Sequence, residues 1–327
     1  MDYFLSIVKR RKIELRGRSL AGSYNEAMPE LPEVETIARG VDARVRGDQI
    51  VEAWFSGFKQ PFKTSPKVQA RGLEGSWILG VRRVGKHIVC ALGSTYGGSK
   101  RNPGSGGAED EPDREWIVHL GMTGRLLVSA AEVPLPPHTH AVLHLASGRE
   151  LRFVDARRFG RLALHDIGAG GFTGPGREPL TISAGDFAAL FRGRKLSIKA
   201  ALLNQRLLHG VGNIYADESL FRARIRPARM AGRVTREELA RLHKALRSVL
   251  QSAIRAGGSS VSDYVDADGV AGFFQIQHRV YGREGQSCLV CGTPIRRIVL
   301  AGRGTHFCPR CQTSAQQGRD QGNQGPK

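Results

Sequence analysis

The chain has 327 residues and a formal net charge of +19, from 49 Lys and Arg against 30 Asp and Glu. This length allows one large domain or two ordinary ones with an ample core. A positive surplus of this size predicts attraction to a polyanion. The sequence has no apolar run long enough to span a bilayer and no basic helix with a bulky apolar face. Nucleic acid rather than a membrane is therefore the expected partner, and the cytoplasm the expected compartment.

The first half of the chain begins with a helical pattern and continues with strand-like patterns. Residues 1–27 are basic, show no clear periodicity and lack the features of a secretory signal. Apolar residues recur at helical spacing over residues 31–45, with Pro32 at the expected helix start. Strands are predicted in residues 77–92 and 116–128, and a hairpin in residues 140–165. Residues 93–113, rich in Gly, Ser and Pro, are expected to form a disordered insertion.

Helical patterns dominate the second half of the chain. They cover residues 184–192, 196–208, 216–224 and 236–256. The last helix is the clearest, because Thr235 and Glu238 form a capping box and Gly257 ends it. Residues 312–327 are rich in Gln and Gly and are expected to be a disordered tail. Strands first and helices second predict an α+β protein with two domains of different class.

Four of the five cysteines form two Cys-x-x-Cys pairs near the end of the chain, with sixteen residues between the pairs. These four are Cys288, Cys291, Cys308 and Cys311. Two such knuckles joined by a short hairpin can hold one tetrahedral Zn²⁺, and four protein ligands make that zinc structural. Two redox-active motifs are the alternative interpretation. The hairpin also carries three arginines, among them Arg303, which suggests a finger that contacts DNA.

Five further segments stand out by their residue order. They are residues 28–36 (Met-Pro-Glu-Leu-Pro-Glu-Val-Glu-Thr), 85–87 (Gly-Lys-His), 119–124 (His-Leu-Gly-Met-Thr-Gly), 155–160 (Asp-Ala-Arg-Arg-Phe-Gly) and 210–218 (Gly-Val-Gly-Asn-Ile-Tyr-Ala-Asp-Glu). Together with the cysteine pairs, and in this order, they resemble the formamidopyrimidine-DNA glycosylase family. The resemblance implies an N-terminal β-sandwich that carries a catalytic N-terminal helix. A C-terminal helix–two-turn–helix domain would follow and end in a zinc-ribbon finger, with DNA in the cleft between the domains.

The resemblance also implies the divisions of the chain. They are an extension absent from the mature protein (1–27), the catalytic sandwich (28–160), a linker (161–180), the helical domain (181–275), the zinc finger (276–311) and the tail (312–327).

The implied activity is that of a bifunctional DNA glycosylase and AP lyase in base excision repair. The free α-nitrogen of Pro29 would attack the sugar of an oxidised purine nucleotide and form a Schiff base, followed by β- and δ-elimination. Glu30 would be the acid–base residue, Lys86 the proton donor in β-elimination, and Arg303 the residue of δ-elimination. A purely phosphate-binding role is the alternative for Arg303.

The remaining implied roles concern DNA binding. Met122, Arg157 and Phe159 match the residues that fill the hole left by an everted base. The other implied DNA-binding residues are His119, His138, Arg158, Lys195 and Asn213. The implied partner is damaged double-stranded DNA and the implied cofactor one structural zinc ion. A monomer acting on the nucleoid of a bacterium is expected.

Three departures from the family pattern leave alternatives open. Ala156 replaces a common proline, and Ser262 stands where many members carry a basic residue in the base-capping loop. The third is the extension, because a Pro29 within the chain is an amide and cannot react. If residues 1–27 are retained, the alternative is a damaged-DNA binder without catalysis. A Nei-type enzyme for oxidised pyrimidines is the other alternative, although such enzymes usually carry Gly at the position of Leu31.

Overall fold

The computed structural model describes residues 28–58, 61–96, 111–168, 170–259 and 274–313. The predicted extension at residues 1–27, most of the predicted insertion, Ser262 and the tail from residue 314 lie outside the described residues. Within the described part of the chain, no helix is long and apolar enough to cross a membrane.

The predicted first helix is confirmed as α1, Leu31–Val45, and links the two domains. A proline stands in its first turn, and the Glu33 carboxylate accepts the backbone N–H of Glu30 at 2.9 Å. From Val34 onward its apolar face packs into the core of the sandwich. Leu31, at the start of the same helix, packs into the core of the helical domain. The start of α1 therefore lies where the two domains meet.

Two antiparallel four-stranded sheets form the N-terminal sandwich, so the predicted fold of this half is confirmed. The elements are β1 (Ile50–Phe55), α2 (Pro66–Leu73), β2 (Trp77–Val84), β3 (His87–Gly93), β4 (Arg114–His119), β5 (Arg125–Ala130), β6 (Thr139–Leu145), β7 (Arg149–Val154) and β8 (Arg161–Asp166). One sheet has the strand order β1-β6-β7-β5 and the other β2-β3-β4-β8. Between them lies a core in which Trp116 and Phe153 are fully buried.

The strands differ from the sequence patterns in four respects. The predicted strand at residues 77–92 is a hairpin, because Gly85 adopts a φ of +61° and turns the chain between β2 and β3. The predicted strand at residues 116–128 divides into β4 and β5, which lie in different sheets. The predicted hairpin is confirmed for β6 and β7, whereas β8 joins the other sheet. The patterns miss β1, which buries only Ile50 and Ala53 and so lacks a period of two.

The C-terminal domain contains the four predicted helices. They are α3 (Ala184–Ala189), α4 (Ile198–Leu203), α5 (Asn213–Arg222) and α6 (Arg236–Arg255), with 3₁₀ turns at Ala231–Arg233 and Phe274–Gln277. The capping box of Thr235 and Glu238 is confirmed at the start of α6. α4 is shorter than predicted, because Leu207 and Leu208 are buried but belong to the turn that follows it.

The finger is a hairpin of β9 (Arg296–Leu300) and β10 (Arg303–Phe307) beside the cysteine pairs. Its two-residue turn has positive φ at Ala301 (49°) and Gly302 (71°), the geometry that matches the twist of paired strands. Arg303 is therefore the first residue after a tight turn.

The predicted tail begins later than expected. Gln312 is fully buried, accepts the backbone N–H of Cys308 at 2.9 Å and donates to the backbone carbonyl of Ile225 at 2.9 Å. Gln312 thus ties the finger to the residues after α5, and its assignment to a disordered tail is wrong.

The two other predicted irregular segments contain ordered residues as well. Tyr96, within the predicted insertion, stacks on Trp77 with ring centroids 5.7 Å apart. Asp113, at the other end of the insertion, donates its backbone N–H to Leu92 at 2.9 Å. Residues 97–110 lie outside the described residues. β8 lies within the predicted linker and pairs with β4, so the sandwich continues to Asp166.

Candidate active site

A cavity of about 610 Å³ opens where the sandwich, the helical domain and the finger meet. Its wall includes Glu30, Lys86, Met122, Asn213, Tyr281 and Arg303. All of these except Tyr281 are predicted site residues. They come from the start of α1, the β2–β3 turn, the β4–β5 loop, α5 and β10, so the fold gathers residues that are distant in sequence.

Glu30 is buried against the first turn of α5. Its Oε1 accepts the backbone N–H of Ile214 at 3.1 Å, and a Cβ on Gly212 would overlap its carboxyl group. Glu30 is only 4% exposed. Burial raises the pKa of its carboxyl group to about 7, although the charge of Lys86 opposes this shift. A carboxyl group that titrates near neutrality can both hold and release a proton, as general acid–base chemistry requires.

Lys86 and Arg303 bring two positive charges to the same cavity. Burial lowers the pKa of Lys86, the carboxylates of Glu30 and Glu33 oppose this, and the charge of Arg303 lowers the pKa further. An ammonium group whose pKa is lowered releases its proton more readily. Arg303 is exposed at the start of β10, where its guanidinium can meet a phosphate.

Pro29 is buried between Glu30 and Met28, and Met28 lines the cavity. While Met28 precedes it, the nitrogen of Pro29 belongs to a peptide bond and is not nucleophilic. Once freed, that nitrogen is a secondary amine and can attack an electrophilic carbon to form an iminium. The chemistry of Pro29 therefore depends on what precedes it.

Met122, Arg157 and Phe159, here called the wedge residues, lie on two loops that are joined by a hydrogen bond. Fully buried Asp155 accepts a hydrogen bond from Thr123 Oγ1 at 2.5 Å. This bond ties the loop that carries Met122 to the loop that carries Arg157 and Phe159. The Arg157 guanidinium lies 5.0 Å from the centroid of the Phe159 ring, which is 46% exposed. An exposed ring beside a guanidinium is suited to insertion between bases.

The other predicted DNA-binding residues are not among those that line the cavity. His119 ends β4, and its Nδ1 accepts the backbone N–H of Gly121 at 3.1 Å. Burial lowers the pKa of His119 to about 4, so the neutral ring carries its proton on Nε2 and can donate it to a phosphate oxygen. His138, Arg158 and Lys195 are exposed. His138 and Arg158 both have positive φ, at 66° and 57°, a strained conformation for residues with side chains.

The four predicted zinc ligands form one cluster, with their sulfur atoms within 4.8 Å of one another. The Sγ atoms of Cys288 and Cys311 lie 3.9 Å apart, and those of Cys291 and Cys308 lie 3.5 Å apart. Tetrahedral zinc with Zn–S bonds of about 2.3 Å requires sulfur atoms about 3.8 Å apart. The cluster thus fits one structural zinc ion. Because these close contacts join the two motifs, the alternative of two separate redox motifs is not favoured.

Comparisons with known proteins agree with this site. A profile of the formamidopyrimidine-DNA glycosylase N-terminal domain matches residues 28–162, its H2TH domain matches residues 175–265, and the zinc finger found in FPG and IleRS matches residues 285–313. A formamidopyrimidine-DNA glycosylase of Solibacter usitatus is 44% identical over 285 residues, covering 87% of this chain and 99% of the relative. A formamidopyrimidine-DNA glycosylase of Thermus thermophilus is 45% identical over 298 residues, covering 87% of this chain and 98% of the relative. The chain belongs to the formamidopyrimidine-DNA glycosylase family.

Solved structures of this family share the fold. MutM (FPG) of Thermus thermophilus has a TM-score of 0.71 at 41% identity, covering 87% of this chain and 98% of that one. A Lactococcus lactis FPG mutant bound to Fapy-dG-containing DNA has a TM-score of 0.74 at 31% identity, and the match covers 88% of this chain and 100% of that one. The predicted family, fold class and zinc-binding finger are therefore confirmed.

The sequence patterns miss the residues that hold the finger of this glycosylase-family chain in place. Lys199 and Asp217 are fully buried and form an ion pair at 2.7 Å. Lys199 Nζ and Asn213 Nδ2 both donate to the backbone carbonyl of Gly304, each at 3.0 Å. These contacts fix the backbone next to Arg303. The signal in the sequence is a single lysine in the otherwise apolar run of α4.

Proposed function

We propose that this protein is a bifunctional DNA glycosylase and AP lyase that removes oxidised purines, chiefly 8-oxoguanine and formamidopyrimidines, in base excision repair. One observation carries the proposal. Glu30, whose pKa is about 7, directly follows Pro29 and shares one cavity with Lys86 and Arg303. A nucleophile, an acid–base residue and cations for phosphate around one cavity are the groups that this chemistry requires.

Base removal begins when the free amine of Pro29 attacks C1′ of the damaged nucleotide. The bond from C1′ to the base breaks, and the base leaves with the bonding electrons and takes up a proton. Glu30 in its protonated form donates a proton to the sugar-ring oxygen, so the ring opens as the nitrogen lone pair forms the iminium. The proton on the Pro29 nitrogen is lost in this step.

Strand cleavage follows from the iminium, which withdraws electrons from C2′. Loss of a proton from C2′ breaks the C3′–O bond, and the 3′ phosphate leaves in β-elimination. A second elimination breaks the C5′–O bond in the same manner. We assign Lys86 as proton donor in the first elimination and Arg303 to stabilisation of the departing phosphate in the second. Water then hydrolyses the iminium and frees Pro29.

Damaged double-stranded DNA is the proposed partner, held in the cleft between the domains. Met122, Arg157 and Phe159 fill the hole left by the everted base. The proposed backbone contacts are His119, His138, Arg158, Lys195 and Asn213. The net charge of +19 adds non-specific attraction to phosphates. We further propose a monomer that works on nucleoid DNA in the bacterial cytoplasm.

The proposal requires a polypeptide that begins at Pro29, here called the Pro29 form. Initiation at Met28 with removal of that methionine would produce it, as would equivalent processing. A chain that keeps residues 1–27 would hold damaged DNA without cutting it, which is the non-catalytic alternative.

Oxidised pyrimidines are the second candidate substrate class. A complex of Lactococcus lactis FPG with oxidised-pyrimidine DNA, at 31% identity to this chain, makes this class worth testing. Leu31 favours the purine class, because Nei-type enzymes usually carry Gly at that position.

An incision assay tests the proposal. The Pro29 form and the full chain are each incubated with duplexes that carry 8-oxoguanine, a formamidopyrimidine or 5-hydroxycytosine. The Pro29 form is expected to cut the two purine substrates fastest and to leave phosphates on both sides of the gap, whereas the full chain binds without cutting. Faster cutting of 5-hydroxycytosine supports the pyrimidine alternative, and a Pro29 form that cuts none of the duplexes refutes the proposal.

A further inference from the structure

His209 fills the junction between three segments of the chain outside the active-site cavity. It is 7% exposed. A Cβ on Gly85 would lie 3.1 Å from the Cβ of His209, and a Cβ on Gly174 would overlap the ring at Nδ1. Only glycines allow the β2–β3 turn and the segment after β8 to approach the ring this closely. The imidazole is therefore packed between an element of the sandwich and the connection to the helical domain.

An ion network holds the ring in this position. His209 Nε2 lies 3.1 Å from Glu178 Oε2, and Arg83 reaches the same carboxylate oxygen at 2.9 Å. Arg83 also pairs with Glu35 of α1 at 2.7 Å, and its side chain is only 6% exposed. Burial alone would raise the pKa of Glu178, but hydrogen bonds from His209 and Arg83 lower this pKa to about 2. The network thus connects α1, β2 and the segment before α3 to the turn before α5.

The neighbours of His209 in sequence and space carry the proposed chemistry. Gly210, the next residue, accepts the backbone N–H of Leu31 at 3.0 Å. The same turn continues to Gly212, which packs against the carboxyl group of Glu30. Gly85, whose Cα side faces the Cβ and ring of His209, immediately precedes Lys86. The two turns also meet directly, because a Cβ on Gly210 would lie 3.3 Å from the backbone oxygen of Gly85. His209 therefore supports the contact between the turn that carries Lys86 and the turn that encloses Glu30.

We infer that His209 is a positioning residue that sets the β2–β3 turn against the turn before α5, and so fixes the relative placement of Lys86 and Glu30. The inference rests on the proposed function for its catalytic consequence. Truncation of the ring removes its packing on Gly85 and takes one hydrogen-bond partner from Glu178, so the two turns can move relative to each other. Water then reaches Glu30, which otherwise faces Lys86, Glu33 and the backbone N–H groups of α5.

His209→Ala and His209→Gln test the inference, with His144→Ala as the matched control. His144 also contacts a glutamate, Glu150, at 3.1 Å, but it lies on β6 away from the cavity. In the Pro29 form, His209→Ala is expected to slow β-elimination at a preformed abasic site by about tenfold, since small misplacements of reacting groups are costly. The limb of the pH–rate profile that reports Glu30 should move to lower pH, because water lowers the pKa of a buried carboxyl group.

Three further readouts separate positioning from a general loss of structure. The affinity of the full chain for a duplex with a tetrahydrofuran site should change less than about twofold, because the phosphate contacts persist. Gln can still donate to Glu178, so His209→Gln should recover much of the rate. In the full chain, hydrogen exchange at Leu31 should become faster in His209→Ala and stay unchanged in His144→Ala.

A wild-type rate and pH profile in His209→Ala would overturn the inference, as would rate and affinity losses of equal size. If the wild-type Pro29 form itself is inactive, the proposed function fails. Exchange at Leu31 then decides the positioning role alone, and unchanged exchange in His209→Ala overturns it.

Discussion

The carboxylate of Glu30 accepts a hydrogen bond from the backbone N–H of Ile214 at 3.1 Å, although 184 residues separate the two in sequence. Glu30 stands at the start of α1, which packs mainly in the sandwich, whereas Ile214 lies in the first turn of α5 in the helical domain. The amides at a helix start favour a negative charge, and burial opposes it. Both domains together thus determine the position and the protonation of Glu30, the proposed acid–base residue.

The buried carboxyl group of Glu30 should cost stability at neutral pH. Its pKa is raised from 4.5 to about 7, so the folded protein is stabilised by the proton below pH 4.5 and loses that contribution as the pH rises to about 7. Glu30→Gln should therefore be more stable than the wild type by roughly 1 to 3 kcal/mol above pH 7, with a smaller difference at pH 5. Denaturant unfolding of the full chain over pH 5 to 9 measures this. A pH-independent difference would show that Glu30 titrates normally.

Asp155 should control insertion of the wedge without touching DNA. Asp155→Asn replaces one acceptor oxygen by a donor. If the remaining oxygen accepts the N–H of Gly160, bonded at 2.7 Å, the amide nitrogen can donate to Thr123 Oγ1 but cannot accept the backbone N–H of Arg157, which lies 3.3 Å from Asp155 Oδ1. Loss of one such buried hydrogen bond is expected to lower single-turnover excision roughly tenfold.

The measurement for Asp155→Asn is base eversion, followed with a fluorescent base beside the lesion, together with binding to undamaged duplex. Eversion should slow while non-specific binding stays unchanged. Asp166→Asn is the control, because Asp166 ends β8 and its side chain is 86% exposed. Equal losses in both variants would contradict a role for Asp155 in the wedge.

Lys199 should contribute strongly to stability through Asp217. Lys199→Met leaves a fully buried carboxylate without its cation and is expected to destabilise the protein by about 3 to 5 kcal/mol. Adding Asp217→Asn removes that charge and keeps an acceptor for the N–H of His306, bonded at 2.8 Å, so the double variant should recover much of the loss. Denaturant unfolding checks both. Additive losses in the double variant would mean that the pair does not act as a unit.

Zinc removal should weaken DNA binding, because the cysteine cluster supports the hairpin that carries Arg303. After chelation, affinity for duplex DNA is expected to fall about tenfold or more, with zinc content measured by atomic absorption and affinity by fluorescence anisotropy. Cys90→Ala is the control, since Cys90 lies in the core of the sandwich and should leave both quantities unchanged. Full affinity after confirmed zinc loss would argue against a DNA-contacting finger.

Much of the fold follows from local patterns in the sequence. The first helix, the β6–β7 hairpin and α6 carry clear periodicity and end signals, and the cysteine spacing by itself predicts the zinc cluster. The divided strands were harder to predict, because Gly85 and the residues after His119 turn the chain inside apolar runs. Gln312 looks polar and tail-like in sequence, and only its two buried hydrogen bonds reveal its place in the finger.

The sequence predicts only part of the candidate site, and the reason is physical. Motifs identify residues such as Glu30 and Lys86, but the raised pKa of Glu30 arises from packing against α5, which no local pattern records. Lys199, Asp217 and His209 act through contacts between distant segments. Their roles depend on burial and on which atoms meet, so the structure is needed to see them.

The most direct test of the central claim is borohydride trapping with mapping of the attachment site. The Pro29 form is mixed with 8-oxoguanine duplex and borohydride, and the adduct is digested and analysed by mass spectrometry. The reduced iminium should link the sugar to the nitrogen of Pro29, and the full chain should give no adduct. An adduct on Lys86 or another lysine, or no adduct from the Pro29 form, would contradict Pro29 as the nucleophile.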